Sequence, residues 1–461
     1  MKKMKVFSLL LLAFVLVFTL AACSSNNANN GANSNNSSTS TPDSSSKAEA
    51  PAEVVEAPKE EAPAVDLAGR TIRIAAWWDD TPVGDTAGGM ERLDKIAELE
   101  EKYNMKVEFI NIPFEEYMDK FTTTVLAGDP FADVAIMEYK RAIVPVKDGL
   151  VLPISEFALG NSDINNEQRL TVKLPPLGGG EYSFNKAGGV SVVGLHYNRE
   201  LFTQLGLPDL QEIYAKGEWT WEKFMEIAKK ATRDTDNDGK IDSFGFSGWP
   251  ADTARHFGAT NDATFVDDAT FTEGISDPKM IETLEFVNRI SNVENIVKVK
   301  GGNKMDWNET NTFKDGDVAM AIMYDWNLGD LPFEVGVVPI PKGPSGTGQW
   351  TYANTALNGW FIPKGVQDPQ IVFQIFEEMQ DVTPTEEYPG QDWLESRYTH
   401  ESDIRMAIDN INGTGMVSVE EGIPDFPFYT IMDEIIIQNM SVSAVVESRK
   451  VEGQTALDKL K

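Results

Sequence analysis

Alternating apolar and polar positions from Thr71 onward predict an α/β body. The run 71–76 alternates as a β-strand does, and a helix is predicted from about 90 to 103. A second strand at 106–111, a helix at 114–126 and a third strand that ends at Met137 follow. Because strands that alternate with helices form parallel sheets, the pattern predicts a parallel α/β architecture for this part of the chain.

Residues that directly follow the first and third predicted strands are candidates for a ligand site. Trp77, Trp78 and Asp79 come after the first strand, and Glu138 and Tyr139 come after the third. Ligands of open α/β sheets bind beyond the carboxyl ends of the strands. We therefore expect these side chains near a bound ligand, while packing in the core or between lobes is the alternative for each tryptophan.

The first residues have the pattern of a secretory signal peptide. Lysines precede an apolar run from Val6 to Val17, and the small residues Ala21 and Ala22 follow it. The apolar run is shorter than the roughly 20 residues that a membrane-spanning helix needs. We expect residues 1–22 to be removed during secretion.

Cys23 is the only cysteine of the chain and follows this segment directly. The sequence Leu-Ala-Ala-Cys at 20–23 resembles the lipobox of bacterial lipoproteins, which implies acylation of the cysteine, with a fatty acid such as palmitate, and cleavage just before it. A chance cysteine beside a signal peptide is the alternative. The resemblance predicts an extracytoplasmic protein that is anchored by lipid to the outer face of the cell membrane and does not span it.

Residues 24–66 are rich in Ser, Asn, Ala, Pro and Glu and contain few large apolar side chains. Such a composition predicts a disordered tether, so the acylated cysteine and the tether together occupy 23–66. The tether would let the folded body stand away from the membrane surface.

The chain of 461 residues carries a formal net charge of −32. A strongly acidic surface repels phosphate groups, so nucleic acid is excluded as the expected partner. It also disfavours direct binding to an anionic bilayer, which leaves the lipid as the attachment to the membrane.

Several segments of the body occur in an informative order. They are 127–134, 149–154, 189–202 with 205–208, 219–224, 313–320 and 337–341. In this order they resemble the family 1 extracellular solute-binding proteins of ABC importers, a group that includes maltodextrin-binding proteins. No single segment is specific, whereas their succession covers almost the whole body.

The resemblance implies a two-lobe periplasmic-binding-protein-like fold of type II, with the ligand cleft between α/β lobes that crossing strands join. Lobe 1 is expected to comprise 67–187 plus about 353–385, and lobe 2 to comprise 188–352 plus about 386–461. The implied partners are a carbohydrate and the permease subunits of an ABC importer, with the protein itself a monomer. The chain ends within a predicted helix, so we expect the natural protein to be longer.

Sugar recognition requires aromatic faces against pyranose rings and planar polar groups against hydroxyls. Beyond the residues after the first and third strands, Asp325, Trp326 and Trp360 offer these groups, and Trp249 is a weaker candidate. Relatives often have Gly-Ser-Trp or Gly-Pro-Trp at the position of Trp326, with the indole stacked on the ligand. Tyr324 and Asp325 replace the small pair in this chain, which leaves the detailed geometry open.

The segment 234–242 matches the first nine positions of an EF-hand calcium loop. Carboxylates and a backbone carbonyl at the required spacing, with a glycine at the sharp turn, suit a hard cation such as calcium. The expected ligands are Asp234, Asp236, Asp238, the carbonyl of Lys240, and Asp242. Gly245 stands where an EF-hand has its bidentate glutamate, so a solvated acidic turn is the alternative. A bound ion would be structural.

Two other classes of function remain open. A secreted glycosidase would need two carboxylates flanking the scissile bond, and the sequence does not show two that converge. The isolated His196, His256 and His400 lack zinc-ligand spacing, so we expect packing or surface positions for them. A lipoprotein that senses sugar or adheres to polysaccharide is the third possibility, and neighbouring permease genes would distinguish an importer component from it.

Overall fold

A computed structural model describes residues 65–154, 169–173, 177, 181–186 and 193–461, apart from 330, 383, 384, 389, 412 and 414. The predicted signal peptide, Cys23 and nearly all of the tether lie outside the described residues. Among those residues, no helix has the length and apolar character needed to cross a membrane.

The strands are β1 Arg70–Ala76, β2 Met105–Asn111, β3 Val134–Glu138, β4 Arg169–Lys173, β5 Glu181–Lys186, β6 Val193–Asn198, β7 Phe244–Ser247, β8 Val266–Asp267, β9 Thr272–Glu273, β10 Val318–Tyr324, β11 Val335–Val338, β12 Ala353–Asn354, β13 Asn358–Phe361 and β14 Met416–Val417. The α-helices are α1 Ala87–Tyr103, α2 Phe114–Leu126, α3 Tyr139–Lys147, α4 Arg199–Leu205, α5 Leu210–Ala215, α6 Trp221–Ala231, α7 Pro250–Thr260, α8 Pro278–Asn288, α9 Trp307–Thr310, α10 Asp325–Leu328, α11 Pro369–Gln380, α12 Gln391–Arg397, α13 Glu401–Ile411, α14 Phe428–Ile436 and α15 Val442–Asp458.

The first lobe is built on a six-stranded sheet with the strand order β2-β1-β3-β13-β5-β4. β1 pairs in parallel with β2 and β3, whereas β13 runs antiparallel to β3 and β5. Alternation along β1 sends Ile72 and Ile74 to the face covered by α1 and α11, and Ala75 to the face covered by α2 and α3. The parallel strands predicted from the sequence are confirmed.

The second lobe is built on a four-stranded sheet with the order β11-β6-β10-β7. β10 runs antiparallel to β6 and parallel to β7. Neighbouring residues of β10 serve opposite faces: Met320 packs with α6 and α7, and Ala321 packs with α12 and α13. Both faces of the sheet are therefore covered, which accounts for the apolar sequence of β10.

Side-chain caps fix where several helices begin. Thr86 accepts the backbone N–H of Gly89, so α1 starts at Ala87, three residues before the start predicted from the sequence. Thr220 accepts the N–H of Lys223 and begins α6, with Trp219 and Trp221 buried beside it. Both tryptophans therefore serve helix entry and packing.

The chain passes between the two sheets more than once. It leaves the first sheet after β5 and enters the second at β6, and it returns through β12 to β13. β12 pairs in parallel with β14, which brings the segment after α13 beside this crossing. The two-lobe α/β fold class is thereby confirmed, while the lobe boundaries given above remain predictions.

The histidines lie in ordinary packing and surface positions. His196 and His256 are buried, and burial lowers the pKa of each to about 3, so both are neutral at physiological pH. The Nε2 of His196 lies 2.9 Å from the Tyr398 hydroxyl. His400 is exposed and lies 2.9 Å from Glu334.

Candidate functional site between the lobes

The carboxyl end of β1 carries a cluster of aromatic rings. The Trp77 ring centroid lies 5.3 Å from that of Trp78 and 5.5 Å from that of Phe114, both edge to face. Trp78 is 39% exposed, and its indole N–H donates to Asp80 Oδ1 over 3.3 Å. A partly exposed indole held by a packed neighbour can offer a flat apolar face to a ligand.

The carboxyl end of β3 is charged. Glu138, its last residue, is 8% exposed and lies 2.8 Å from Arg141 Nε and 3.7 Å from Lys140 Nζ. The Arg141 guanidinium lies 3.9 Å from the Phe114 ring centroid. Arg141 thus joins the Glu138 carboxylate to the aromatic cluster that follows β1.

A buried arginine on α7 forms ion pairs with carboxylates of two elements. Arg255 lies 2.9 Å from Asp252, 2.5 Å from Glu420 and 3.0 Å from Glu421, and its side chain is only 3% exposed. Its guanidinium also lies 4.2 Å from the Phe428 ring centroid. Buried charges are tolerated when they are paired, so these contacts tie α7 to the segment 420–422.

Electrostatics keep Glu421 and Arg255 of this cluster ionised. Burial acts to raise the pKa of Glu421, but Arg255 and Lys140 outweigh burial and hold that pKa at about 2. Burial acts to lower the pKa of Arg255, and Glu420, Glu421 and Asp252 raise it well above its ordinary value. For Asp252 burial dominates and raises the pKa. Glu421 and Arg255 are therefore charged at neutral pH.

Further aromatic rings lie on the lobe 2 side of the cluster. The Trp249 ring centroid is 5.9 Å from that of Tyr429 and 5.8 Å from that of Trp307. The Trp249 indole N–H donates to the Met305 carbonyl over 2.9 Å. The Tyr429 hydroxyl donates to Glu421, so this aromatic group is continuous with the ion pairs.

The end of β10 connects to the same cluster. The Tyr324 hydroxyl lies 2.6 Å from Thr355 Oγ1 and 3.3 Å from His256 Nε2. The Trp326 ring stacks on the Tyr324 ring at 5.3 Å and 22°, and Trp326 is 58% exposed. A stacked, exposed indole at a strand end suits contact with a sugar face. Asp325 is the first residue of α10.

Other predicted site residues are engaged differently. Tyr139 is buried in the core, and its backbone N–H donates to the Leu357 carbonyl over 2.7 Å. The Trp360 ring lies 5.0 Å from that of Phe376 on α11. These contacts favour core packing for both residues. Asp79 accepts hydrogen bonds from Thr81, which lower its pKa, so its carboxylate closes the turn after β1.

The sequence named Trp249 as a weaker candidate but missed the charged residues of the cluster, which are Lys140, Arg141, Arg255, Glu420 and Glu421. The rule of strand ends supports Trp249, which follows the end of β7 at Ser247, and it could have added Lys140 and Arg141 after β3. Glu420 contacts Arg255 across a separation of 165 positions. No local pattern in a single sequence signals such a contact.

A hollow of about 590 Å³ lies between the segment 262–277, Trp350 and β14, which ends directly before Ser418. Its carboxylates already serve the backbone: Asp277 caps α8, and Glu273 accepts the N–H of Ser276. Asp262 accepts the N–H of Thr347. Its lining thus offers one aromatic side chain, Trp350, and carboxylates that are already hydrogen-bonded.

The acidic loop 234–242 is compact and exposed. Carboxylate oxygens of Asp234, Asp236 and Asp242 lie within 4.8 Å of one another. Asp234 accepts the backbone N–H of Gly239 over 2.8 Å, and Asp238 pairs with Lys240 at 3.4 Å. Three oxygens at this spacing could share one cation.

Comparison with known proteins places the chain among secreted binding proteins. Residues 84–381 match the sequence family described as bacterial extracellular solute-binding protein. No curated protein matches the chain in sequence.

Solved structures resemble this one over most of its length. A maltose/maltodextrin-binding domain from Bdellovibrio bacteriovorus, bound to maltotriose, has 18% sequence identity and a TM-score of 0.58, with 84% of this chain and 100% of that chain covered. An ABC substrate-binding protein from Listeria monocytogenes in complex with cycloalternan has 15% identity and a TM-score of 0.58, with 85% and 98% covered. The GacH receptor of Streptomyces glaucescens, studied unliganded and with acarbose, gives the same values. Identities this low show a shared fold.

Proposed function

Because this chain belongs to the bacterial extracellular solute-binding proteins, we propose that it captures an oligosaccharide outside the cell and delivers it to the permease subunits of an ABC importer. The ligand would bind between the two lobes, which would close around it. The protein would act as a monomer, without chemical change to the sugar.

The observation that carries this proposal is the convergence of exposed indoles and buried ion pairs at strand ends of both lobes. Trp78 and Trp326 offer apolar faces, and Glu138 and Arg255 offer planar polar groups. Glu138 Oε2 lies 2.8 Å from Arg141 Nε, and Arg255 Nη2 lies 3.0 Å from Glu421, so ion pairs fix the orientation of both planar groups. Planar polar groups fixed in this way suit recognition of sugar hydroxyls. The similar structures hold maltotriose, cycloalternan and acarbose, all of them saccharides or close analogues.

The ion pairs disfavour glycoside hydrolysis at this site. A glycosidase needs one carboxylic acid and one carboxylate placed on either side of the bond. Glu138, Glu421 and Asp252 each pair with a lysine or an arginine instead. These carboxylates are thus engaged in holding cations.

Incubation of the purified protein with maltotriose, followed by chromatography of the sugar, tests whether the protein cleaves or otherwise changes the sugar. We expect maltotriose, whether or not it binds, to be recovered intact after many hours. Steady release of shortened sugar would favour a secreted carbohydrate-active enzyme.

We propose that Cys23 carries the lipid that holds the protein at the membrane. Cys23→Ala should release the protein from the membrane fraction or leave an uncleaved precursor, because no thiol remains for acylation. Metabolic labelling with a radioactive fatty acid measures this directly. Cys23→Ala protein that still incorporates the label would exclude this anchor.

We also propose that the loop 234–242 binds calcium. Asp234, Asp236 and Asp242 would supply carboxylate oxygens, Asp238 a further one, and Lys240 its carbonyl. The residues fit a hard cation, since hydrogen bonds from Thr235 lower the pKa of Asp242 and keep it charged. Gly245 lies in β7 and has no side chain to contribute, so affinity should be modest.

Calcium is therefore expected to raise the melting temperature of the wild type. An ion that binds only the folded state at 100 times its Kd stabilises it by about 2.7 kcal/mol. Asp236→Ala or Asp238→Ala should abolish the shift, whereas Glu212→Gln, which removes an exposed carboxylate on α5, should retain it. If calcium does not change the melting temperature of the wild type, the proposal that this loop binds calcium is wrong.

A further inference from the structure

Glu421 bridges helices that follow strands of different sheets. Its carboxylate lies 2.5 Å from Lys140 Nζ on α3, which follows β3 of the first sheet, and 3.0 Å from Arg255 Nη2 on α7, which follows β7 of the second sheet. The neighbouring Glu420 contacts Arg255 and Ser418. Glu421 thus joins α3 to α7, whereas Glu420 bonds Arg255 and a residue of its own segment.

The backbone around Glu421 fits tightly against α3. A Cβ added at Gly422 would lie 1.7 Å from the Lys140 carbonyl oxygen, closer than any real contact allows. The segment 420–422 therefore touches the first turn of α3 directly through a glycine. This close approach holds Glu421 in register with Lys140.

The bridge is shielded from water on both sides. Lys140 is 13% exposed, Glu421 19% and Arg255 3%. A shielded ion pair contributes little net stability, because desolvation of the charges offsets their attraction. It does penalise arrangements in which one partner is separated from the other, so its effect falls on the geometry of the lobes.

We propose that Glu421 is the positioning residue that couples α3 to α7 and holds the two lobes in the arrangement described here. The inference rests on the proposed function, since the arrangement of the lobes matters to a protein that captures a ligand between them. It assigns Glu421 a role in lobe geometry that needs no contact with the ligand.

The distance between the lobes in the ligand-free protein tests this. Spin labels on Leu126→Cys in lobe 1 and Val293→Cys in lobe 2, both exposed, report that distance by pulsed electron resonance, with Cys23→Ala removing the native thiol. We expect one dominant distance in this background. Glu421→Gln should lower the ratio of this population to all others by about five-fold or more.

Matched variants separate positioning from general destabilisation. Lys140→Met should act as Glu421→Gln does, and the double variant should add nothing further. Glu421→Asp should restore part of the dominant population. Glu434→Gln breaks a partly buried ion pair with Arg449 that joins α14 to α15, so it should lower the melting temperature and leave the distance unchanged.

An unchanged distance distribution in both Glu421→Gln and Lys140→Met would overturn the proposal, as would a shift of equal size in Glu434→Gln. Because no sugar is present, this result is independent of whether the protein binds carbohydrate. Failure of the proposed function would instead appear as a lack of binding in a protein whose lobes respond to Glu421.

Discussion

Arg255→Met should lower the free energy of unfolding by about 3–5 kcal/mol, because it leaves buried carboxylates without their cation. Asp252 and Glu420 would both lose an ion pair while remaining in the interior. The loss of packing on the Phe428 ring adds to the effect. Urea-induced unfolding, followed by circular dichroism, measures the difference.

The paired variant Arg255→Met with Glu420→Gln is the control. Neutralising a buried carboxylate together with its partner should recover part of the lost stability, since less uncompensated charge remains. A loss below about 0.5 kcal/mol in Arg255→Met, the range of ordinary surface substitutions, would show that the cluster is not the buried network described above.

Trp326→Ala should weaken oligosaccharide binding by roughly 30-fold or more. Removal of one stacking aromatic ring from a desolvated site costs about 2 kcal/mol or more, by analogy with hot spots of protein interfaces. The fold should persist, because Trp326 is exposed and stacks on Tyr324 without filling the core. Isothermal titration calorimetry gives the change in Kd.

Trp393→Ala is the matched control for this variant. Trp393 is also an exposed tryptophan near the start of a helix in lobe 2, and Arg397 lies 4.0 Å from its ring centroid. Its removal should leave affinity unaltered. If Trp326→Ala and the wild type bind with equal affinity, Trp326 packs on Tyr324 and does not contribute to ligand binding.

The sequence predicted the elements that obey local rules. The strand 71–76 follows from alternation, and the third strand, predicted to end at Met137, ends one residue later at Glu138. Trp77 and Trp78 therefore follow a strand end as predicted, and Glu138 is the last residue of its strand. The direction of each side chain was harder to predict. The side chain of Tyr139, the first residue of α3, enters the core, whereas the preceding Glu138 pairs with Lys140 and Arg141.

The charged centre of the site could not be predicted because it depends on contacts distant in sequence. Glu421 meets Lys140 across 281 positions, and periodicity carries no information at that range. In the sequence, Gly422 cannot be distinguished from other loop glycines, because its close approach to the Lys140 carbonyl of α3 is visible only in the structure. Trp360 was predicted as a site residue but packs beside Phe376. Predicting that contact would have required knowing that α11 covers this face of β13.

Calorimetric titration of the purified protein with a panel of oligosaccharides, including maltotriose and mannotriose, tests the central claim most directly. We predict saturable binding of at least one oligosaccharide at a stoichiometry near one, with weaker binding in Trp326→Ala and Trp78→Ala. Amino acids and short peptides serve as controls and should give no heat of binding. Saturable binding of peptides or amino acids, with none for any sugar, would contradict the assignment of a carbohydrate ligand to this cleft.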